Sequence, residues 1–262
     1  MAREPRNLSH TVMKALTVLE HIAENGHELG VNEVARDLGM DPSTVHRLMA
    51  TLRYRGYLRQ NRETSKYGIG PTVLRLARSV ETVSYLRRVA LPYMNRLVEA
   101  TEETAHLLVL QGAEGVYVEK VDSPKTVRMV SYIGKREYLH CSAVGKAILA
   151  YLPDDEVQWI IETAGLPRLT PNTITDPEKL WEHLAEVRRS GYALDDEEGE
   201  EGIRCVGAPV FDMTGRPVAA ISVAAPLYRT GRERLQEFAP LLLDAAREIS
   251  AHMGYMPGDG TE

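Results

Sequence analysis

The chain has 262 residues, 44% of them hydrophobic and 26% charged, with a net charge of −6. These are the proportions of a soluble globular protein long enough for two domains, and they exclude a disordered or fibrous chain. No run of about 18 apolar residues exists to span a bilayer, and the polar segment Met1 to His10 lacks the apolar core of a signal peptide, so a cytoplasmic protein with no membrane partner is expected. Its two cysteines, Cys141 and Cys205, have no CxxC spacing; reduced thiols are expected, with no disulfide scaffold and no zinc knuckle.

Val12, Ala15, Leu16, Leu19, Ile22 and Ala23 recur at helical spacing and predict a first helix. A second follows from Val31, Val34, Ala35 and Leu38, stopped by Gly39. Asp41-Pro42 then supplies a cap acceptor and a preset first residue for a third helix, whose buried stripe is Val45, Leu48, Met49 and Leu52. The other face of this third helix carries Ser43, Thr44, His46, Arg47, Thr51 and Arg53. Short polar side chains near a helix start, with arginines behind them, suit a helix laid in the major groove of DNA. Tyr57-Leu58-Arg59 and Tyr67-Gly68-Ile69 read as two short strands of a wing, and the loop from Gln60 to Lys66 presents Arg62 and Lys66 to phosphate. Residues 41–70 hold six Arg/Lys against two acids on a chain that is acidic overall, the charge distribution of a phosphate-neutralising module joined to a differently employed domain.

From Pro71 to Gln111 there is no glycine. A linker helix is expected from about Thr72 to Ser84, then a second to about Thr101, bent or restarted at Pro92. Its apolar residues suit either a partner chain or packing within the same chain. Beyond it the pattern turns to strands: His106 to Leu110, Val116 to Val121, Val127 to Ile133, Tyr192 to Leu194, Ile203 to Phe211 and Pro217 to Ala225. Helices are expected at Val144 to Tyr151, Asp155 to Thr163, Glu178 to Ser190 and Arg232 to His252, the last with a Thr230/Glu233 capping box. Strand pairs joined by tight turns imply an antiparallel sheet packed by helices, an α+β domain.

His140 to Lys146 leads into a helix, but position 147 is Ala and position 140 is His, so the phosphate turn and metal-binding hydroxyl of a P-loop are missing. The run Asp195-Asp196-Glu197-Glu198 reads as a solvated loop. In the last hairpin, a plain two-residue turn over Asp212 to Gly215 would set Cys205 opposite Ser222 on one face. A glycine bulge at Gly215 would shift the register by one and send these two side chains to opposite faces.

Several of these segments, in order, resemble the IclR family of bacterial transcription regulators: Val31-Asn32-Glu33-Val34-Ala35, Ser43 to Leu48, Tyr67-Gly68-Ile69-Gly70, His140 to Ala147, Gly191-Tyr192, Asp195 to Glu198, Gly202 to Cys205 and Gly215 to Val223. The resemblance covers nearly the whole chain. It implies a winged helix-turn-helix in residues 1–70, a linker helix in 71–91, a GAF-like effector domain in 92–256 and a tail in 257–262. It also implies homodimers, commonly paired into tetramers, on near-palindromic double-stranded operators, and a small organic acid as effector, with no cofactor. By position, the implied effector-binding residues are Ala143, Val144, Gly145, Asp195, Cys205, Ser222 and Ala224. On the DNA side it points to Ser43, Thr44, His46 and Arg47, with Arg59, Arg62 and Lys66 on the backbone.

Three other chemistries are open to these residues. A thiol redox sensor on the same frame would use Cys141 or Cys205. A cysteine hydrolase from Cys205, His140 and Asp195 would leave the DNA-reading segment idle, so no enzyme is expected. Zinc on His106, His140 and Cys205 lacks ligand spacing, and no metal is expected.

Overall fold

The computed structural model describes residues 8–77 and 81–256. It divides into two compact units, Met1–Glu81 and Thr82–Glu262.

The first unit contains α1 (His10–Glu24), α2 (Val31–Asp37), α3 (Pro42–Tyr54), β1 (Leu58–Gln60), β2 (Tyr67–Ile69) and α4 (Thr72–Ala77). Its core gathers Val18, Ile22, Leu29, Val34, Ala35, Val45, Met49, Leu58 and Tyr67. The buried edge of α1 is turned from the expected stripe: Val18 and Ile22 are inside, Ala15 and Leu19 are half-buried, and Val12, Leu16 and Ala23 are exposed. Two matching stops define α3 and its approach. Gly39, at φ +62°, closes α2, with its N–H on the Arg36 carbonyl and the Met40 N–H on Ala35. Gly56, at φ +77°, closes α3 the same way, with its N–H on Arg53 and the Tyr57 N–H on Leu52. Both are Schellman endings, which favour glycine because a side chain there is strained. The wing pairs Leu58 with Ile69 and Gln60 with Tyr67, and Leu29 adds a bridge to Tyr67 on the other edge.

The second unit contains α5 (Glu81–Thr101), β3 (Thr104–Gln111), β4 (Glu114–Val121), β5 (Arg136–Glu137), α6 (Ala143–Leu149), α7 (Asp154–Ala164), α8 (Pro177–Ser190), β6 (Ala193–Asp196), β7 (Ile203–Phe211), β8 (Pro217–Pro226) and α9 (Arg232–His252). Six strands run β5-β4-β3-β8-β7-β6, every pair antiparallel. One sheet face buries Leu107, Val206, Ala208, Ile221 and Val223 with α5 and α9. The other buries Leu108, Tyr117 and Ala220 with α6, α7 and α8. Alternating side chains therefore feed two separate apolar layers.

Several expectations change. The linker helix expected from Thr72 to Ser84 crosses residues 78–80, which lie outside the described residues. Pro92 lies inside α5, and Leu86, Ala90, Met94 and Leu97 pack into the chain's own core, whereas Leu74 and Leu76 of α4 are exposed. Val127 to Ile133 is not a strand: its alternation survives, with Met129 and Ser131 inside and Val130 and Tyr132 outside, but the free edge of β4 is taken by β5, through Gly115–Glu137 and Val116–Arg136. The Thr230/Glu233 box does not form. A short 3-10 turn, Leu227–Arg229, runs up to a buried Thr230, so the cap falls one residue later, on Gly231, while the helix starts at Arg232 as expected.

The β7–β8 hairpin takes neither expected register. A three-residue loop closes on the Asp212 N–H to Arg216 carbonyl bond, with Gly215 at φ +77°, which moves the pairing by one. Val218 is then an extra residue between the Phe211–Pro217 and Val210–Ala219 pairs, which moves it by one more. Cys205 faces Ala224, and Ser222 faces Gly207. Two flips restore the face, so Cys205 and Ser222 share a side as diagonal neighbours.

At Gly207 the start of α6 touches the sheet: a Cβ there would lie 2.6 Å from the Ala143 carbonyl carbon and 2.8 Å from the Val144 nitrogen. Gly207→Ala is expected to destabilise the second unit by about 1–3 kcal/mol, the cost of overpacking against backbone, measured by urea denaturation followed by circular dichroism.

Candidate functional site

The DNA-reading candidate is built on α3. Asp41 caps it, its Oδ1 accepting the N–H of Ser43 (2.9 Å) and of Thr44 (3.3 Å) and the Ser43 hydroxyl (2.5 Å). These bonds, the Ser43 hydroxyl foremost, hold the Asp41 carboxyl below its usual range. Ser43, His46, Arg47, Thr51 and Arg53 are exposed and Thr44 is half-buried. Two of the hydroxyls have spent their protons: Ser43 on Asp41, and Thr51 on the Arg47 carbonyl at 2.8 Å. They offer lone pairs unless they rotate. Arg53 is hydrogen-bonded to Gln60.

In the wing, the Asn61 side chain accepts the N–H of Glu63 and Thr64, folding the loop so that Arg62 stands at an exposed tip. Arg59 pairs with Glu28 at 2.8 Å and Lys66 with Glu33 at 3.0 Å. Glu33 is held below its usual range first by the Gly30 N–H and then by Lys66. Arg47 and Arg62 make no ion pair among the described residues, so both are uncommitted, as is the exposed Arg55 just past the end of α3.

The second candidate is a cavity of about 30 Å³ between the start of α6, the β6–β7–β8 face and the segments before β5 and after β6. Ala143, Val144, Asp195, Cys205 and Ser222, five of the residues expected to take the effector, line it. Gly145 does not: a Cβ there would strike the Leu139 carbonyl oxygen at 2.3 Å, so its smallness serves packing. Ala224 lies in the apolar cluster behind the wall, with Met129, Ala143 and Cys205. Tyr117, Met129, Lys135 and Glu137 also line the cavity and were not foreseen. The inward turn of Met129 was readable in the alternation of its segment; Lys135 and Glu137 carry no comparable signal.

The run Asp195 to Glu198 is not simply a solvated loop, since Asp195 and Glu198 are 5% and 6% exposed. Lys146, fully buried, pairs with Glu198 at 2.5 Å. The Glu198 N–H donates to Asp195 Oδ1 at 2.7 Å. Thr170 and Thr173 donate their hydroxyls to the carbonyls of Glu197 (2.6 Å) and Glu198 (2.7 Å). Burial pushes the Asp195 carboxyl up to about 7, against the opposing pull of Lys146 and of the Glu198 and Gly199 N–H groups. Asp195 therefore carries a proton into the neutral range. Lys135 and Glu137 form an ion pair at 3.1 Å at the cavity wall.

Both cysteines are free and buried. Burial raises Cys141 to about 12 and Cys205 well above its ordinary range, so both are thiols at neutral pH, the inert form. His140 directs Nε2 to the Pro167 carbonyl at 3.1 Å. Among the described residues, no group of three His, Cys, Asp or Glu side chains is arranged to hold a metal ion, and no helix is long and apolar enough to cross a membrane.

Because folding raises the Asp195 pKa from 3.8 to about 7, the folded state binds the extra proton between those values. Its contribution to stability is present below pH 4 and is lost as pH rises to 7. Asp195→Asn should therefore remove about 2 kcal/mol of the decline in unfolding free energy between pH 5 and pH 8, read from urea curves at both pH values. Native protein at pH 8 should show no rapidly reacting thiol with Ellman's reagent, and both should react after denaturation.

Residues 11–62 match the IclR helix-turn-helix domain, and residues 79–251 match the family described as bacterial transcriptional regulator IclR C-terminal. The HTH-type transcriptional regulator KdgR of Escherichia coli is 39% identical over 254 residues, covering 97% of this chain and 95% of its own. The crystal structure of the Thermotoga maritima IclR superposes with a TM-score of 0.77 at 34% identity, over 94% of this chain and 99% of that one. An IclR homologue from Microbacterium hydrocarbonoxydans, complexed with 4-hydroxybenzoate, superposes with a TM-score of 0.80 at 26% identity, over 93% and 98% of the two chains. With both halves matched in order, a capped reading helix in the first and a helix-covered antiparallel sheet in the second, the chain belongs to the IclR family of bacterial transcription regulators.

Proposed function

We propose that this chain is a sequence-specific DNA-binding transcription regulator, not an enzyme, whose operator affinity is set by a small organic acid held in the cavity of its second unit. The observation that carries the reading is the outer face of α3, where His46 and Arg47 stand exposed and uncommitted on a helix fixed at both ends. Arg47 reads base edges, with Ser43, Thr44, His46 and Thr51 beside it; Arg53, Arg59, Arg62 and Lys66 meet the phosphates. Arg59 and Lys66 exchange Glu28 and Glu33 for DNA, a small cost because exposed ion pairs hold weakly.

The acid is taken up among Ala143, Val144, Asp195, Cys205 and Ser222. Its carboxylate draws Lys135 away from Glu137 and accepts the proton that Asp195 retains. The 4-hydroxybenzoate complex of the Microbacterium homologue supports an acid of this kind. The regulator works in the cytoplasm as a homodimer, paired into tetramers, on a near-palindromic operator whose half-sites follow the two-fold symmetry of the protein. Residues 1–70, 71–91 and 92–256 act as reader, linker and sensor. A redox-sensing role for the thiols is disfavoured by their burial and raised pKa values.

Fluorescence anisotropy on fragments of the DNA upstream of the gene, against random duplex, tests this. Arg47→Ala should lose about 5- to 150-fold in operator affinity with little loss on random DNA, whereas Lys66→Ala should weaken both alike and lower the salt slope by about one. Saturating effector should shift operator affinity by roughly 5- to 150-fold, the usual range of allosteric coupling. Equal affinity for operator and random duplex would refute the reading.

A further inference from the structure

The cavity in the second unit is too small for an organic acid. The space left, about 30 Å³, takes a water or two. Something must leave before a metabolite enters, and most of the walls are tied down. The β7 and β8 walls are laddered on both sides, and Ala143 and Val144 belong to a capped helix. The wall after β6 is held by the Lys146–Glu198 pair and two threonine hydroxyls.

The strap between β4 and β5 is different. Within residues 124–131 no N–H donates to a backbone carbonyl. The strap is fixed at its ends, by the Ser123 hydroxyl on the Glu102 carbonyl (2.6 Å) and the Gly134 N–H on the Tyr117 carbonyl (2.7 Å), with Gly134 at φ +94°. Between the ends it is tied by side chains alone: Lys125 pairs with Glu102 at 3.0 Å and with the buried Glu103 at 3.4 Å, Arg128 with Asp122 at 3.5 Å, and Ser131 meets His106 Nε2 through its hydroxyl and Lys120 Nζ through its carbonyl, both at 2.7 Å. Its outer face is apolar and unburied, with Val130 86% exposed. Met129 is the apolar side chain that the strap puts inside, against Ala143, Cys205 and Ala224.

We infer that Met129 is a displaceable plug: it fills the place of the effector's apolar body, the strap swings outward to admit the ligand, and Met129 thereby sets which acids are accepted. This rests on the reading of the cavity as the effector site and deepens it. An unbranched thioether with three rotatable bonds fills an irregular gap and leaves it without breaking a hydrogen bond. The seat it vacates is lined by Ala143, Ala224 and the Cys205 thiol, small and weakly polar, while Lys135, Asp195 and Ser222 supply the polar end. The ligand class is a monocarboxylic acid with one compact apolar or aromatic body, not a polyhydroxylated chain.

Benzoate serves as the probe, with acetate as the control that keeps the carboxylate and lacks the ring. By calorimetry on the full chain, Met129→Ala should bind benzoate at least tenfold more tightly than the wild type, while acetate changes by less than twofold. The methyl NMR signal of Met129 in the wild type, labelled with 13C-methyl methionine, should move toward the position of a solvent-exposed methionine on saturation with benzoate, a readout that needs no variant. Unchanged or weaker benzoate binding in Met129→Ala, no binding by either protein, or a Met129 methyl signal that ignores benzoate would each overturn the plug. The operator assay separates the two readings: benzoate that shifts operator affinity in the wild type, with no gain in Met129→Ala, leaves the effector site standing without a plug. Tighter benzoate binding in Met129→Ala with no effect on operator affinity leaves the plug without an effector role.

Discussion

The ion pair between Lys146 and Glu198 organises the second unit. Neither side chain reaches solvent to any useful degree, so removing one partner would leave an uncompensated charge inside the protein, an error that costs about 3–5 kcal/mol in buried pairs. Lys146 belongs to α6, which covers the sheet, and Glu198 belongs to the acidic turn after β6. Through that pair the turn is pressed against the helix, and through the Glu198 N–H it fixes Asp195. The chemistry of the cavity, a carboxyl that keeps its proton beside a small thiol and a serine hydroxyl, depends on that one contact.

In the first unit the organising constraint is geometric. Two glycines in the left-handed region and one aspartate cap set where the reading helix starts and stops. Its polar face owes nothing to burial: Val45 and Met49 hold the opposite side in the core, and Arg47 is left to solvent. Glu28 and Glu33 pair with Arg59 and Lys66, the wing cations proposed to meet phosphate.

How legible this was in the sequence depends on the range of the interaction. The three helices, the wing strands and the Asp41 cap follow from residues within a turn of one another and form where local pattern puts them, although α1 buries a different edge than its apolar spacing suggests; β7 and α9 match as well. What failed were features decided at a distance. Val127 to Ile133 has the alternation of a strand, but whether a strand forms depends on a free edge, and Arg136–Glu137 had taken it. Thr230 has the right spacing for a capping box, but a preceding 3-10 turn had used it. The acidic run reads as surface because nothing local announces that Lys146, 52 residues earlier, is buried beside it. Of the implied effector residues only Gly145 lies apart, small because the Leu139 carbonyl presses on it, while Lys135 and Glu137 reach the cavity from a stretch with no periodic pattern.

The two irregularities of the β7–β8 hairpin have a consequence for how this family can change. Each one alone would rotate the strand by half a repeat and present Val206 or Val223 to the helix side in place of Cys205 or Ser222. Single-residue insertions or deletions at the tip, remote from any ligand, would thus exchange a thiol-and-hydroxyl surface for a wholly aliphatic one. Only paired length changes keep the thiol and the hydroxyl on one face, so the polarity of the cavity wall is fixed at the tip of this hairpin as well as by the residues that line the cavity.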